Sequence, residues 1–176
     1  SIDIKLVEGK LKYEPNYQRI RQIGGTVQKA VGPTLYKMEW LAKDGQKDAN
    51  FRRGGYFASV IGFEHTLYKT IGDNGDLGFL LEYNFDSRRS RASDSMQDDV
   101  FIAARLSLND SEDTQMLLGS IVDLDGDGQI YQVDFGRRIN DSLTFGMQGA
   151  IYQNGRPGSN LYVLRQDSWL EINFKQ

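Results

Sequence analysis

The run whose residue types and spacing come nearest to a defined chemistry is Asp123-Leu124-Asp125-Gly126-Asp127-Gly128-Gln129-Ile130. Asp123, Asp125 and Asp127 fall at the first, third and fifth positions of a calcium loop of the helix–loop–helix kind. Gly128 falls where such a loop turns sharply, Ile130 at its eighth position, and Asp134 at its twelfth, where a bidentate Glu is usual. Alternate oxygen ligands let a tight loop wrap a hard cation, so calcium is the cofactor this run would take. The flanks oppose the reading. Gly119, Gly136, Ile121 and Val122 weaken any helix on either side, and Tyr131, Val133 and Phe135 alternate as a strand does. No second loop is present to pair with the first. A Gly-Asp turn between two strands accounts for the same residues.

Other reactive groups are sparse. His65 is the single histidine, set in Gly62-Phe63-Glu64-His65-Thr66, and with Glu64 beside it could act as a base. Ser59 shares its face by parity, but no serine sits in a nucleophile-elbow motif. A lipid-modifying outer-membrane enzyme would need His65 turned inward and close to a hydroxyl. If the odd-numbered face points outward, His65 does no chemistry. Arg88-Arg89-Ser90-Arg91 could hold an anionic lipopolysaccharide or phosphate, or be a solvated loop. Gly72–Gly78 is turn chemistry, with no P-loop lysine after it.

Composition narrows the field further. The absence of cysteine removes disulfide scaffolds, thiolate metal sites and thiol catalysis. With 21 basic and 24 acidic residues the net charge is −3, which gives no footprint for a nucleic acid. The 176 residues fit one domain, read as a single β-barrel domain over 1–176. No run approaches the roughly 18 apolar residues of a membrane helix. That leaves barrel strands open, because their alternation averages to a polar sequence. No signal peptide is visible at Ser1, which fits a mature chain, a cytosolic chain or an excised fragment.

The elements that must carry these residues have a period of two. Val100, Ile102, Ala104, Leu106 and Leu108 fall opposite Phe101, Ala103, Arg105 and Ser107. Leu77, Phe79, Leu81, Tyr83 and Phe85 repeat the pattern, as do Leu143, Phe145, Met147, Gly149 and Ile151. Strand spacing separates these sets; helical spacing would mix them. Strands are expected at 2–13, 17–31, 34–43, 54–69, 77–87, 98–109, 113–124, 128–139, 142–153 and 160–174, with Gly32-Pro33, Asp73-Asn74-Gly75, Asn109-Asp110-Ser111, Asp125–Gly128 and Asn140-Asp141 between them. Most are longer than the typical strand of about 5–6 residues. Connections alternate between short turns and longer polar loops, as in an up-and-down membrane barrel.

Each strand offers one apolar and one polar face, with no strong helix to cover either. Closing the sheet with its apolar face outward would resolve this and leave no free edge. The inward face then collects Lys37, Glu39, Glu82, Arg105, Asp134, Arg138, Arg165, Asp167 and Glu171. Both signs are present, so these side chains either pair and fill a narrow lumen or line a weakly selective pore. Tyr36, Trp40, Tyr152, Tyr162 and Trp169 lie near strand ends, where a barrel carries aromatic girdles. A lipocalin-like barrel or a β-sandwich would bury the same residues in a core.

The stretch from Asp98 to Phe174 resembles the C-terminal part of proteobacterial, porin-like outer-membrane β-barrel proteins. The likeness is carried by Asp98–Asp110, by Ile121-Val122-Asp123-Leu124-Asp125-Gly126 and by the closing Asp167-Ser168-Trp169-Leu170-Glu171-Ile172-Asn173-Phe174. The last resembles the signal read by the barrel assembly machinery, through Leu170, Ile172 and Phe174, although Lys175 and Gln176 follow the aromatic. The strand count gives an all-β, antiparallel up-and-down transmembrane barrel of about ten strands with periplasmic termini, and the resemblance implies an outer-membrane barrel or the C-terminal part of a larger one. It also implies a lipid bilayer and lipopolysaccharide as partners, and a passive pore or structural barrel as the function. The alternative reading is a soluble β-barrel or sandwich that binds an apolar ligand, or calcium through Asp123–Asp134.

Overall fold

A computed structural model describes residues 2–7, 10–15, 19–92, 96–155, 157 and 168–175. The strands are β1 (Ile2–Val7), β2 (Lys10–Pro15), β3 (Arg21–Val31), β4 (Thr34–Lys47), β5 (Arg53–Ile71), β6 (Gly75–Asp86), β7 (Asp98–Ser107), β8 (Gln115–Asp123), β9 (Gly128–Asn140), β10 (Leu143–Asn154) and β11 (Trp169–Lys175). No α-helix occurs among the described residues; a single 3₁₀ turn covers Arg89–Arg91. None of the described helix is long and apolar enough to cross a membrane.

β3 to β11 form one antiparallel meander, each strand paired with its neighbours in sequence. β1 and β2 form a separate two-stranded sheet. The expected strand at 2–13 is therefore a hairpin. The part of the expected 160–174 strand at 160–167, with Tyr162, Arg165 and Asp167, lies outside the described residues. Elsewhere the period-two runs become strands close to where the alternation sets them. Gly32, with φ +57°, supplies the left-handed residue of the two-residue β3–β4 turn.

The sheet is open. β3 and β11 are its two ends and do not pair with each other. This overturns the closed barrel, and with it the porin-like pore, the outer-membrane location and the bilayer, lipopolysaccharide and assembly-machinery partners. The physical reason is the edge. An unpaired row of N–H and C=O groups has no hydrogen-bonding partner in hydrocarbon, so an open sheet cannot span it, and without closure there is no lumen. Alternation within a strand reports two unlike faces; it does not report whether the first strand meets the last.

Strand register carries those faces across the whole sheet. Val27, Met38, Ile61, Tyr83, Val100 and Val122 form one apolar row, and Leu77, Leu106, Met116, Phe135, Met147 and Ile172 another. This face is largely exposed: Ile61, Ile102, Leu118 and Ile172 each keep about half their surface or more. The buried apolar cluster sits on the other face, where Ile121, Ile130 and Ala150 pack with Phe101 and Tyr152. Gly119 lies beside it because a Cβ there would meet the Phe101 ring at 2.8 Å.

Candidate functional site

The two faces offer different chemistry, and the polar one holds most of the titratable groups in the middle of the strands. Lys37, Glu39, Glu82, Arg105, Asp134 and Glu171 share it by register. They lie along an open sheet, not around a lumen. Lys37 Nζ reaches Glu82 at 2.6 Å across β5, where Gly62 stands between them with no side chain in the way. Arg105 pairs with Glu64 across β6 on a diagonal, Arg105 lying in register with Gly78 and Glu64 with Leu80. Asp134 accepts from Gln148 at 2.8 Å. The backbone N–H of Arg138 donates to the Glu112 carbonyl at 2.7 Å.

At one end of the sheet, on both faces, polar groups become buried. Asp86 and Arg88 form a two-pronged ion pair with distances down to 2.6 Å, and the guanidinium lies 3.6 Å from the centre of the Tyr56 ring. Arg89 bridges Asp98 and Asp125 at 3.1 Å each. Tyr83 donates to Asp98 at 2.6 Å, and this hydrogen bond to a carboxylate holds its phenol above the usual tyrosine range. Asp99 is fully buried and accepts from the N–H groups of Gln97 and Asp98 through one oxygen. Burial pushes its carboxyl up to about 6 against those two donors, with the Asp123 and Asp98 charges adding to the rise. Asp123 is its register partner on β8.

The calcium run is not assembled as a cage. Asp123 Oδ1 accepts from the N–H groups of Asp125 and Gly126, which closes an Asx-type turn between β8 and β9. Asp125 is held by Arg89. Asp127 takes a left-handed backbone, φ 57°. Asp134 pairs in register with Leu117, six residues from Asp123 along β8, or about 20 Å at strand rise. Among the described residues no three acidic or histidine side chains converge as metal ligands.

His65 lies on the apolar face, its Nδ1 2.7 Å from Thr34 Oγ1. Glu64 points to the other face and is engaged by Arg105, so no carboxylate among the described residues orients the ring as a triad requires. Ser59 does share the face with His65 but stands six residues away along β5. Arg88 and Arg89 of the arginine run are committed to Asp86, Asp98 and Asp125, and Arg91 lies 3.6 Å from Asp48. Leu170, Ile172 and Phe174 lie on the edge strand β11, and their role as an assembly signal falls with the barrel.

A cleft of about 580 Å³ opens on the polar face over β3–β6, lined by Thr26, Glu39, Val60, Asn84 and Met96 among others. Sequence reading marked Glu39 but missed Asn84 and the buried Asp86, Asp98 and Asp99. The available signal was Asp98-Asp99 at the head of an otherwise apolar strand.

No family model matches the chain, and neither a curated protein nor a solved structure matches it. The porin-like resemblance therefore has neither a matching relative nor a closed sheet behind it.

Proposed function

We propose that the chain is a binding module in which the open sheet serves as one layer of a β-sandwich and presents its apolar face to a second apolar layer. The observation that carries this is the exposed apolar face itself. Its rows are staggered along the strands and together cover all nine, about 38 Å at the spacing between neighbouring strands. Its charged residues, among them Arg21, Lys29, Asp44, Asp98 and Arg137, lie toward the strand ends. Exposed apolar patches of this extent mark interaction surfaces, and two sheets packed face to face bury such rows about 10 Å apart. Binding is favoured over catalysis because His65 meets the Thr34 hydroxyl and no carboxylate among the described residues, and the buried Asp86 and Asp98 are engaged by Arg88, Tyr83 and Arg89.

The second layer is taken to be another copy of this chain, since the face is apolar almost throughout and apolar on apolar is self-complementary. Sedimentation in plain buffer tests it. A dimer that reverts to monomer on Ile102→Asp or Leu118→Asp supports the reading. A monomer that binds an apolar fluorescent probe on this face replaces the second copy with an apolar ligand. A monomer that binds no probe overturns the reading.

A further inference from the structure

One row of the polar face carries negative charge that no basic side chain among the described residues offsets. Register aligns Thr26, Glu39, Val60, Asn84, Asp99 and Asp123 across β3 to β8. The adjacent row is neutralised by the Lys37–Glu82 pair, and Asp86 by Arg88. Glu39, Asp99 and Asp123 have no basic partner among the described residues. Asp99 and Asp123 are buried, and each keeps one oxygen, Oδ1 and Oδ2 respectively, without a hydrogen bond. Glu39 and Asn84 instead line the open cleft of about 580 Å³, a volume within the range of small-ligand sites.

The spacing decides what kind of cation fits. Glu39 and Asn84 are two strands apart, about 10 Å, and Glu39 and Asp99 about 14 Å. Oxygens so far apart cannot close on a single metal ion, which needs ligands at about 2–2.6 Å. They can hold an extended organic cation. Between Glu39 and Asn84 the row offers Val60, and the cleft adds Leu41, Ala58 and Met96 as apolar wall. The sequence of surfaces is therefore carboxylate, apolar strip, amide oxygen, with a buried negative field behind the amide.

We propose that this cleft binds an elongated aliphatic polycation of the polyamine class. One ammonium lies on Glu39, the methylene chain lies over Val60, and a second ammonium donates to the Asn84 side chain. The Asp99 and Asp123 charges draw that second ammonium without touching it, because low-dielectric walls focus their field into the cleft. Every residue invoked lies on the polar face, so binding here is independent of what covers the apolar face.

Calorimetric titration of the intact chain with spermidine tests this, with magnesium as a compact cation and 1,4-butanediol as an uncharged analogue. Saturable one-site binding of spermidine, weaker at higher salt and absent for the diol, is expected. Glu39→Gln should weaken it about tenfold or more, since a charge-assisted hydrogen bond is lost. Glu39 is exposed, so this variant keeps its fold, which circular dichroism checks. Val60→Lys at the apolar strip, which sets a like charge against the bound cation, should also weaken it, whereas Glu112→Gln, away from the cleft, should leave it unchanged. No saturable binding, equal binding by wild type and Glu39→Gln, or magnesium binding as tightly as spermidine would each overturn the proposal.

Discussion

Asp99 and Asp123 face each other across β7 and β8, both buried, each with one carboxylate oxygen that accepts no hydrogen bond. Like charges directly opposite on neighbouring strands repel, and here burial removes the water that would screen them. Burial first, and then the neighbouring Asp123 and Asp98 charges, push the Asp99 carboxyl up to about 6.

Stability should therefore depend on pH in an unusual direction for a carboxylate. The folded carboxyl binds its proton more tightly than the unfolded one, whose value is near 3.8. Its contribution is complete below pH 4 and is lost as pH rises through 6. The loss is of the order of 3 kcal/mol. Asp99→Asn keeps an oxygen for the Gln97 and Asp98 N–H groups and points an amide N–H at Asp123. It should raise Tm at pH 7.5 and flatten the profile between pH 4 and 7. A Tm that falls at pH 7.5 would show that the two carboxylates do not repel.

The Asp86–Arg88 pair should behave in the opposite way to an exposed ion pair. Both side chains are buried, and Arg88 also stacks on Tyr56. Arg88→Ala leaves Asp86 as an uncompensated buried charge and should cost about 3–5 kcal/mol in urea unfolding. The double variant Asp86→Asn, Arg88→Met should recover more than half of that, because the lone charge is gone. Equal losses in single and double variants would place the energy in the Tyr56 contact instead.

Gly62 should matter more than the ion pair it permits. A Cβ at Gly62 would stand 2.5 Å from the Leu81 carbonyl oxygen and 2.6 Å from Glu82 Cγ. Gly62→Ala should cost about 1–3 kcal/mol by forcing β5 and β6 apart. Lys37→Ala, which removes a pair about a quarter exposed on each side, should cost less than about 1 kcal/mol. Parallel urea titrations of the two variants give the comparison directly.

Calcium should leave the chain unmoved. Asp125 is neutralised by Arg89, Asp123 Oδ1 is taken up by two N–H groups, and Asp134 is about 20 Å away along the sheet. Millimolar calcium or a chelator is expected to shift Tm by less than about 1 °C, since a ligand stabilises only through preferential binding to the fold. A calcium-dependent rise that disappears in Asp127→Asn would restore the loop as a metal site.

Much of the sheet was readable from alternation. The runs at 77–87, 98–109 and 128–139 become β6, β7 and β9 within a few residues, because period two is a local property of each strand. The placement of Lys37, Glu82 and Arg105 on one face is local in the same sense. The Asp123–Asp134 spacing misleads because the chain runs straight after Gly128. A loop that would bring residue twelve back to residue one needs a helix there, and Ile130, Val133 and Phe135 favour a strand. The girdle reading of the aromatics fails with the barrel on which it depended.

By itself, then, the sequence determined the strands, their turns and the contrast between an apolar and a polar side. These depend on neighbours one to four residues apart, which the chain carries with it. Closure, charge compensation and burial depend on residues brought together from distant strands. Only the tertiary structure decided that β3 and β11 stay apart, that Asp99 meets Asp123, and that Glu39 and Asn84 open on one cleft. Register across strands is a long-range quantity, and no short-range periodicity encodes it.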